Sequence, residues 1–446
     1  MRIIYLIFLL LISTHSIAWD DHAMLTKPAL KYLSANDKST SVYLNQSVKA
    51  ETLKSFLEAT KSTLPAKLNE IESWAKQNES GYKSLPQDLA YHPEQVNCAS
   101  DLESCFRKSV RMNLDVPLSL IIYDPYHEYS RTHGFYTVKT VNELLPSHVP
   151  LRFALSDFTK IPVNGMVKMA DIISTASMQP DFGFDTYLYE DSETSFGKIY
   201  GFGIQPLGSP KEPSHSQMMF HMSSYYDDPK LLFLMPGLNQ VYPEYRAYLY
   251  MQLSAFAAEN NHPYWAAVFM GWGLHYIQDL TQPYHTQLSY GLDTTTVLHA
   301  FIELAKKNYL PFVEMQTLQA NRHIMLENLT KHIADSYIEN GKYKNIIQAA
   351  LENSQHAGLP SCDLRTQFLR HQMNQNTVDY HSLLRTSIPA HYVNSPSFRA
   401  DDFTNYTELL NEMNSDQRLR LTTGIAQALK HFGDYTKSCV KFYGKV

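Results

Sequence analysis

The sequence predicts an all-α protein, a bundle of many helices with large loop-rich insertions, on three observations. Apolar residues recur every three or four positions, as in Leu53, Phe56, Leu57 and then Leu64, Leu68, Ile71, Trp74, the period that lines one face of a helix. Alternating apolar and polar runs of the kind that build strands are scarce. Two stretches break the helical period: 85–160, rich in proline, tyrosine and histidine, and 183–230, full of glycine, serine and proline.

From the N-terminus, Arg2 precedes an apolar run from Ile3 to Ile12, and Ser16-Ile17-Ala18 places small residues where a signal peptidase reads. Residues 1–18 are therefore expected to be a signal peptide, leaving 19–446 as a secreted or periplasmic protein. No stretch reaches the roughly 18 uninterrupted apolar residues that a membrane crossing needs. Helices are expected near 20–34, 164–178, 243–258, 264–280, 294–308, 318–340 and 415–435. The four cysteines suit an oxidising compartment, where Cys98 and Cys105 could close a short loop and Cys362 could meet Cys439. A formal charge of −6 provides no basic footprint for a nucleic-acid backbone, which disfavours a nuclease. The thirty tyrosines read as filling for a large core and its rim.

The densest chemistry lies in Gly273-Leu274-His275-Tyr276-Ile277-Gln278-Asp279-Leu280-Thr281-Gln282-Pro283-Tyr284-His285. His275 and Asp279 are one helical turn apart, so an imidazole and a carboxylate share a face and can converge on one cation. Pro283 then ends the helix and frees His285 to point elsewhere. His299 and Glu303 repeat the spacing on the next expected helix. With His285 they make two histidines and one carboxylate, leaving a fourth tetrahedral position for water or substrate. A single pair of this kind is usually a helix-face contact, but two pairs and a spare histidine within one short stretch are not expected by chance.

This pattern resembles the hallmark of the zinc-dependent phospholipase C and P1 nuclease superfamily, whose members are all-helical and bind three zinc ions. Members begin, after signal cleavage, with a tryptophan whose amine and carbonyl oxygen hold metal, and cleavage here leaves Trp19 first. The resemblance implies one zinc on Trp19, His22 and Asp279, and a neighbour on His221, His275 and Asp279 with help from Asp181. It implies a third on His285, His299 and Glu303. Asp181 would handle the attacking water, with Asp185 as its competitor, and His215 competes with His221. Phe182 would be one aromatic of a substrate cradle, with Asp20 or Asp21 loosely serving the acidic position. The resemblance covers 19 to about 35, 165–310 and a last helix near 415–435. Residues 36–164 look like an insertion relative to smaller members, and 311–410 is loosely comparable.

His127-Glu128-Tyr129-Ser130-Arg131-Thr132-His133 superficially suggests a zinc-protease helix, but its histidines are too far apart to share a face. No Walker loop, dinucleotide fingerprint, Gly-x-Ser-x-Gly elbow or Cys-x-x-Cys pair is present. Hydrolysis by metal-activated water is the chemistry that remains. The expected function is a secreted zinc phospholipase C acting on phospholipid at a membrane or micelle surface. The competing readings are a P1-type single-strand nuclease and an exported metal-binding or adhesion protein without catalysis.

Overall fold

The computed structural model describes residues 19, 22–147, 149, 154–287, 290–340, 351, 361–364 and 379–444. The expected signal peptide, 1–18, lies outside the described residues, as do Asp20 and Asp21. The chain is mostly helical. The helices that position the site are α1 (His22–Asn36), α2 (Lys38–Asn45), α3 (Met169–Ala176), α4 (Pro213–His221), α5 (Pro243–Glu259), α6 (Pro263–Asp279), α7 (Thr294–Ala305), α8 (Leu310–Asn340) and α9 (Ser415–Tyr443).

The central helix is α6, in which every residue from Tyr264 to Asp279 is buried. A helix apolar on all sides has no solvent face and must be surrounded; here α5, α3 and α9 enclose it. Pro243 and Pro263 open α5 and α6 at the first-turn position where proline costs no hydrogen bond. Two glycines let neighbours close in. A Cβ on Gly271 would come within 2.4 Å of the Ala176 Cβ on α3, and one on Gly273 within 2.9 Å of Met251 on α5.

The protein is not purely helical. Among the described residues five short strands lie within 47–168: β1 (Ser47–Lys49), β2 (Ile121–Tyr123), β3 (Tyr136–Thr137), β4 (Phe158–Lys160) and β5 (Met166–Lys168). None exceeds three residues, too short for the alternation that reveals a strand in sequence. β1 pairs antiparallel with β5, Ser47 opposite Lys168, so the chain leaves and rejoins the helical body at one place. The second sheet has the order β2-β4-β3 and buries Ile121 and Phe158 against Met178 and Phe182. It thereby supports the turn that carries Asp181.

Disulfides join Cys98 to Cys105 and Cys362 to Cys439, the expected pairing, and the second ties segment 361–364 to α9. Among the described residues no helix is long and apolar enough to cross a membrane. The two disulfides are consistent with a location outside the cytoplasm.

Candidate metal centre

Five elements deliver one buried cluster. The last turn of α6 carries His275 and Asp279, α1 begins with His22, α4 ends with His221, and the 3-10 turn Gln179–Phe182 carries Asp181. The 3-10 turn Pro283–His285 follows α6 and brings back His285. Trp19 is buried beside them, its indole Nε1 donating to the Gln278 carbonyl and Thr281 Oγ1, both at 3.1 Å.

The two oxygens of Asp279 face different groups. Oδ1 lies 3.1 Å from His22 Nε2, while Oδ2 lies 2.9 Å from His221 Nδ1 and 3.3 Å from His275 Nε2. Asp181 spans the same two groups more loosely, Oδ2 at 4.0 Å from His22 Nε2 and Oδ1 at 3.6 Å from His275 Nε2. His22, His275 and Asp279 form one buried triad of possible metal ligands, and Asp181, His221 and His275 form a second next to it. Asp279 and His275 are the hinge between them.

The far side of each imidazole decides which nitrogen faces inward. His275 Nδ1 donates to the Ser177 carbonyl at 2.8 Å, and His285 Nδ1 to the His221 carbonyl at 2.9 Å. His22 Nδ1 meets Gln278 Oε1 at 2.8 Å, and that amide is held in place because its Nε2 donates to Thr26 and Thr436. These three histidines therefore turn Nε2 inward, the orientation of metal-ligating histidines whose other N–H is taken by an oxygen.

The third expected set is corrected by the structure. His285 Nε2 lies 3.0 Å from His323 Nε2 and 3.2 Å from Glu327 Oε1, and these three buried residues form the third triad. His299 is exposed, and Glu303 binds Lys306 and Asn308 on the surface. The reason is the face of α7: Val297, Ala300 and Leu304 turn inward, which turns His299 and Glu303 outward. α8 then runs back along α7 and presents His323 and Glu327, one turn apart, to His285. Their spacing was the available signal.

Other sequence candidates also find their places. His215 is buried on α4, but its Nδ1 accepts the Ser209 N–H at 3.1 Å, away from the triads. Asp185 lies behind His221, 3.4 Å from its Nε2 and paired with Arg246 at 2.6 Å. Phe182 packs into the strand layer. It is 2% exposed, with its ring edge-on to Phe158, because the turn that aims Asp181 at the histidines aims the next residue at the strand layer.

The electrostatics call for cations. The ion-pair partners of Asp279 and Glu327 among the described residues are all histidines. Burial works against both carboxylate charges, yet His275, His22 and His221 hold Asp279 well below the usual range, and His323 and His285 bring Glu327 to about 2. Burial also opposes the His221 charge, but Asp185 and Asp279 outweigh it and raise its pKa to about 10. His275 Nε2 and His221 Nδ1 lie 3.0 Å apart, as do His285 Nε2 and His323 Nε2, a separation that an N–H of one ring or a metal ion can bridge. Each of the three triads is a candidate metal site, and nitrogen and oxygen donors are of the kind that zinc accepts. No protein-family model matches the chain, and no curated protein or solved structure matches it.

Proposed function

We propose that the chain is an exported phosphoric diester hydrolase that uses three zinc ions, and within that class a phospholipase C. Its reaction would cleave the glycerol-side phosphodiester of lipids such as phosphatidylcholine to diacylglycerol and phosphorylated head group. The observation that supports this is one carboxylate, Asp279, whose two oxygens serve two adjacent triads, with a third triad attached through His285 and the His221 carbonyl. Ions held by these triads would supply polarisation of a phosphoryl oxygen and an acidified water, the chemistry phosphate esters require.

The residues divide the work. His22 and Asp279, with the carbonyl of Trp19 and the amine that signal cleavage would free on it, would hold one ion. His221, His275, Asp279 and Asp181 would hold the next, and His285, His323 and Glu327 the third. Asp181 is the acidic group poised between the first two sets, so it is assigned to orient the attacking water and take its proton. The acidic overall charge favours a lipid over a polyanionic strand.

The test is to offer the zinc-loaded mature protein both phosphatidylcholine and single-stranded nucleic acid. Phosphocholine with diacylglycerol is the expected product. Nucleotides without lipid cleavage would move the chain to the nuclease branch, and no hydrolysis of either would sink the enzymatic reading.

A further inference from the structure

His221 differs from its neighbours. His22, His275 and His285 turn Nε2 inward and give Nδ1–H to a neutral oxygen. His221 turns Nδ1 inward, toward Asp279 Oδ2 at 2.9 Å and His275 Nε2 at 3.0 Å, and its Nε2 faces a carboxylate, Asp185, at 3.4 Å. Asp185 is completely buried, and His221 is the histidine it pairs with among the described residues. Its Oδ2 also accepts from the Tyr276 hydroxyl at 2.6 Å, and its Oδ1 pairs with Arg246 at 2.6 Å.

Arg246 is as buried as Asp185 and is fixed from its other side. One guanidinium nitrogen donates to the Val110 carbonyl at 2.6 Å and another to the Arg111 carbonyl at 2.8 Å. The chain passes through a left-handed residue at Arg111 (φ 52°), a conformation that non-glycine residues adopt only when their surroundings hold them there. Arg111 is held by its own side chain, which donates to the Lys83 carbonyl and the Tyr82 hydroxyl. A continuous buried chain thus runs from the 82–111 segment through Arg246 and Asp185 to His221.

We propose that Asp185 is a positioning residue for the second metal site. It keeps His221 as the Nε2–H form so that Nδ1 is free to bind, and Arg246, anchored on Val110 and Arg111, holds it there. The inference rests on the metal assignment above and gives the segment before β2 a role in that site. It also separates the two aspartates: Asp181 lies among the inward nitrogens, and Asp185 acts through His221.

The isosteric change Asp185→Asn makes a specific demand. An amide has one oxygen, and Arg246, which can only donate, takes it. The NH2 must then face Tyr276 and His221 Nε2, which favours the Nδ1–H form and puts a proton where the metal should bind. Loss of a carboxylate behind a metal-ligating histidine typically weakens metal binding about 10–100-fold.

Zinc affinity is measured by chelator competition on folded wild type and Asp185→Asn. The expected result is one zinc equivalent weakened by about 10–100-fold, with the site on His285, His323 and Glu327 unchanged. A folded Asp185→Asn protein that holds three zinc ions as tightly as wild type overturns the proposal. Should that variant not fold, histidine-selective 15N spectra of the zinc-loaded wild type decide. His221 protonated on Nε2 supports the proposal, and His221 protonated on Nδ1 overturns it. Wild type that binds no zinc overturns both this inference and the metal centre. Absence of phosphodiester hydrolysis alongside the expected zinc response overturns only the reaction.

Discussion

His323 and His299 are both histidines with a glutamate one turn later on a helix, yet only His323 meets His285. His323→Ala should therefore remove the zinc held with His285 and Glu327 and most of the hydrolytic activity, whereas His299→Ala should leave both near wild type. Zinc content by elemental analysis beside turnover checks this, and the reverse pattern would return the site to α7. Asp181→Asn should lower kcat by about two orders of magnitude, the usual scale for a lost general base, while total zinc is largely retained. Steady-state kinetics with a zinc count decides; an unchanged kcat would remove Asp181 from proton transfer.

At the level of elements, α6 is the piece whose position everything else depends on. Its final turn carries ligands of two triads, and its glycines set how closely α3 and α5 approach. Gly271→Ala would drive a methyl into Ala176 and the Ile173 carbonyl, 2.6 Å away, with no flexible side chain to yield. Overpacking of this kind costs about 1–3 kcal/mol. The expected result is a lower thermal midpoint, and weaker zinc binding because α3 leads directly into the turn of Asp181. An equally stable Gly271→Ala protein would mean that α3 is free to shift. α2 offers a milder case: Asp37 caps it by accepting the Thr40 N–H and also pairs with Lys441 of α9.

For the whole molecule, the buried triads tie folding to metal. Chelation should release close to three zinc ions and lower the thermal midpoint, since ions that bind only the folded state stabilise it. The metal-free protein should also respond to pH with a defined sign. His221 has a folded pKa of about 10 against an ordinary 6.5, so its contribution is complete below about 6.5 and is lost as pH rises toward about 10. Thermal midpoints of the metal-free protein should decline across that window more than those of the zinc-loaded protein, in which the metal replaces the proton. Parallel profiles would show that His221 is not a ligand.

Local order could be read from the sequence because it has local causes. The periodicity placed α5 and α6 to within a residue or so, and the one-turn His-x-x-x-Asp spacing located His275 and Asp279, because a helix fixes which side chains share a face. His22, Asp181 and His221 came from the resemblance, and the structure brings them into the same cluster. Strands of two or three residues left no period to find. Two equal candidates, His299 with Glu303 and His323 with Glu327, could not be separated by spacing. Which pair meets His285 depends on which face of α7 is buried and on α8 folding back along it, a long-range packing outcome. The same holds for Asp181 and Asp185, four residues apart on one loop. Tertiary structure alone put Arg246 beside Asp185, and a buried guanidinium takes the nearest carboxylate as its partner. That pairing leaves Asp181 and Asp279, not Asp185, as the carboxylates among the inward-facing histidines.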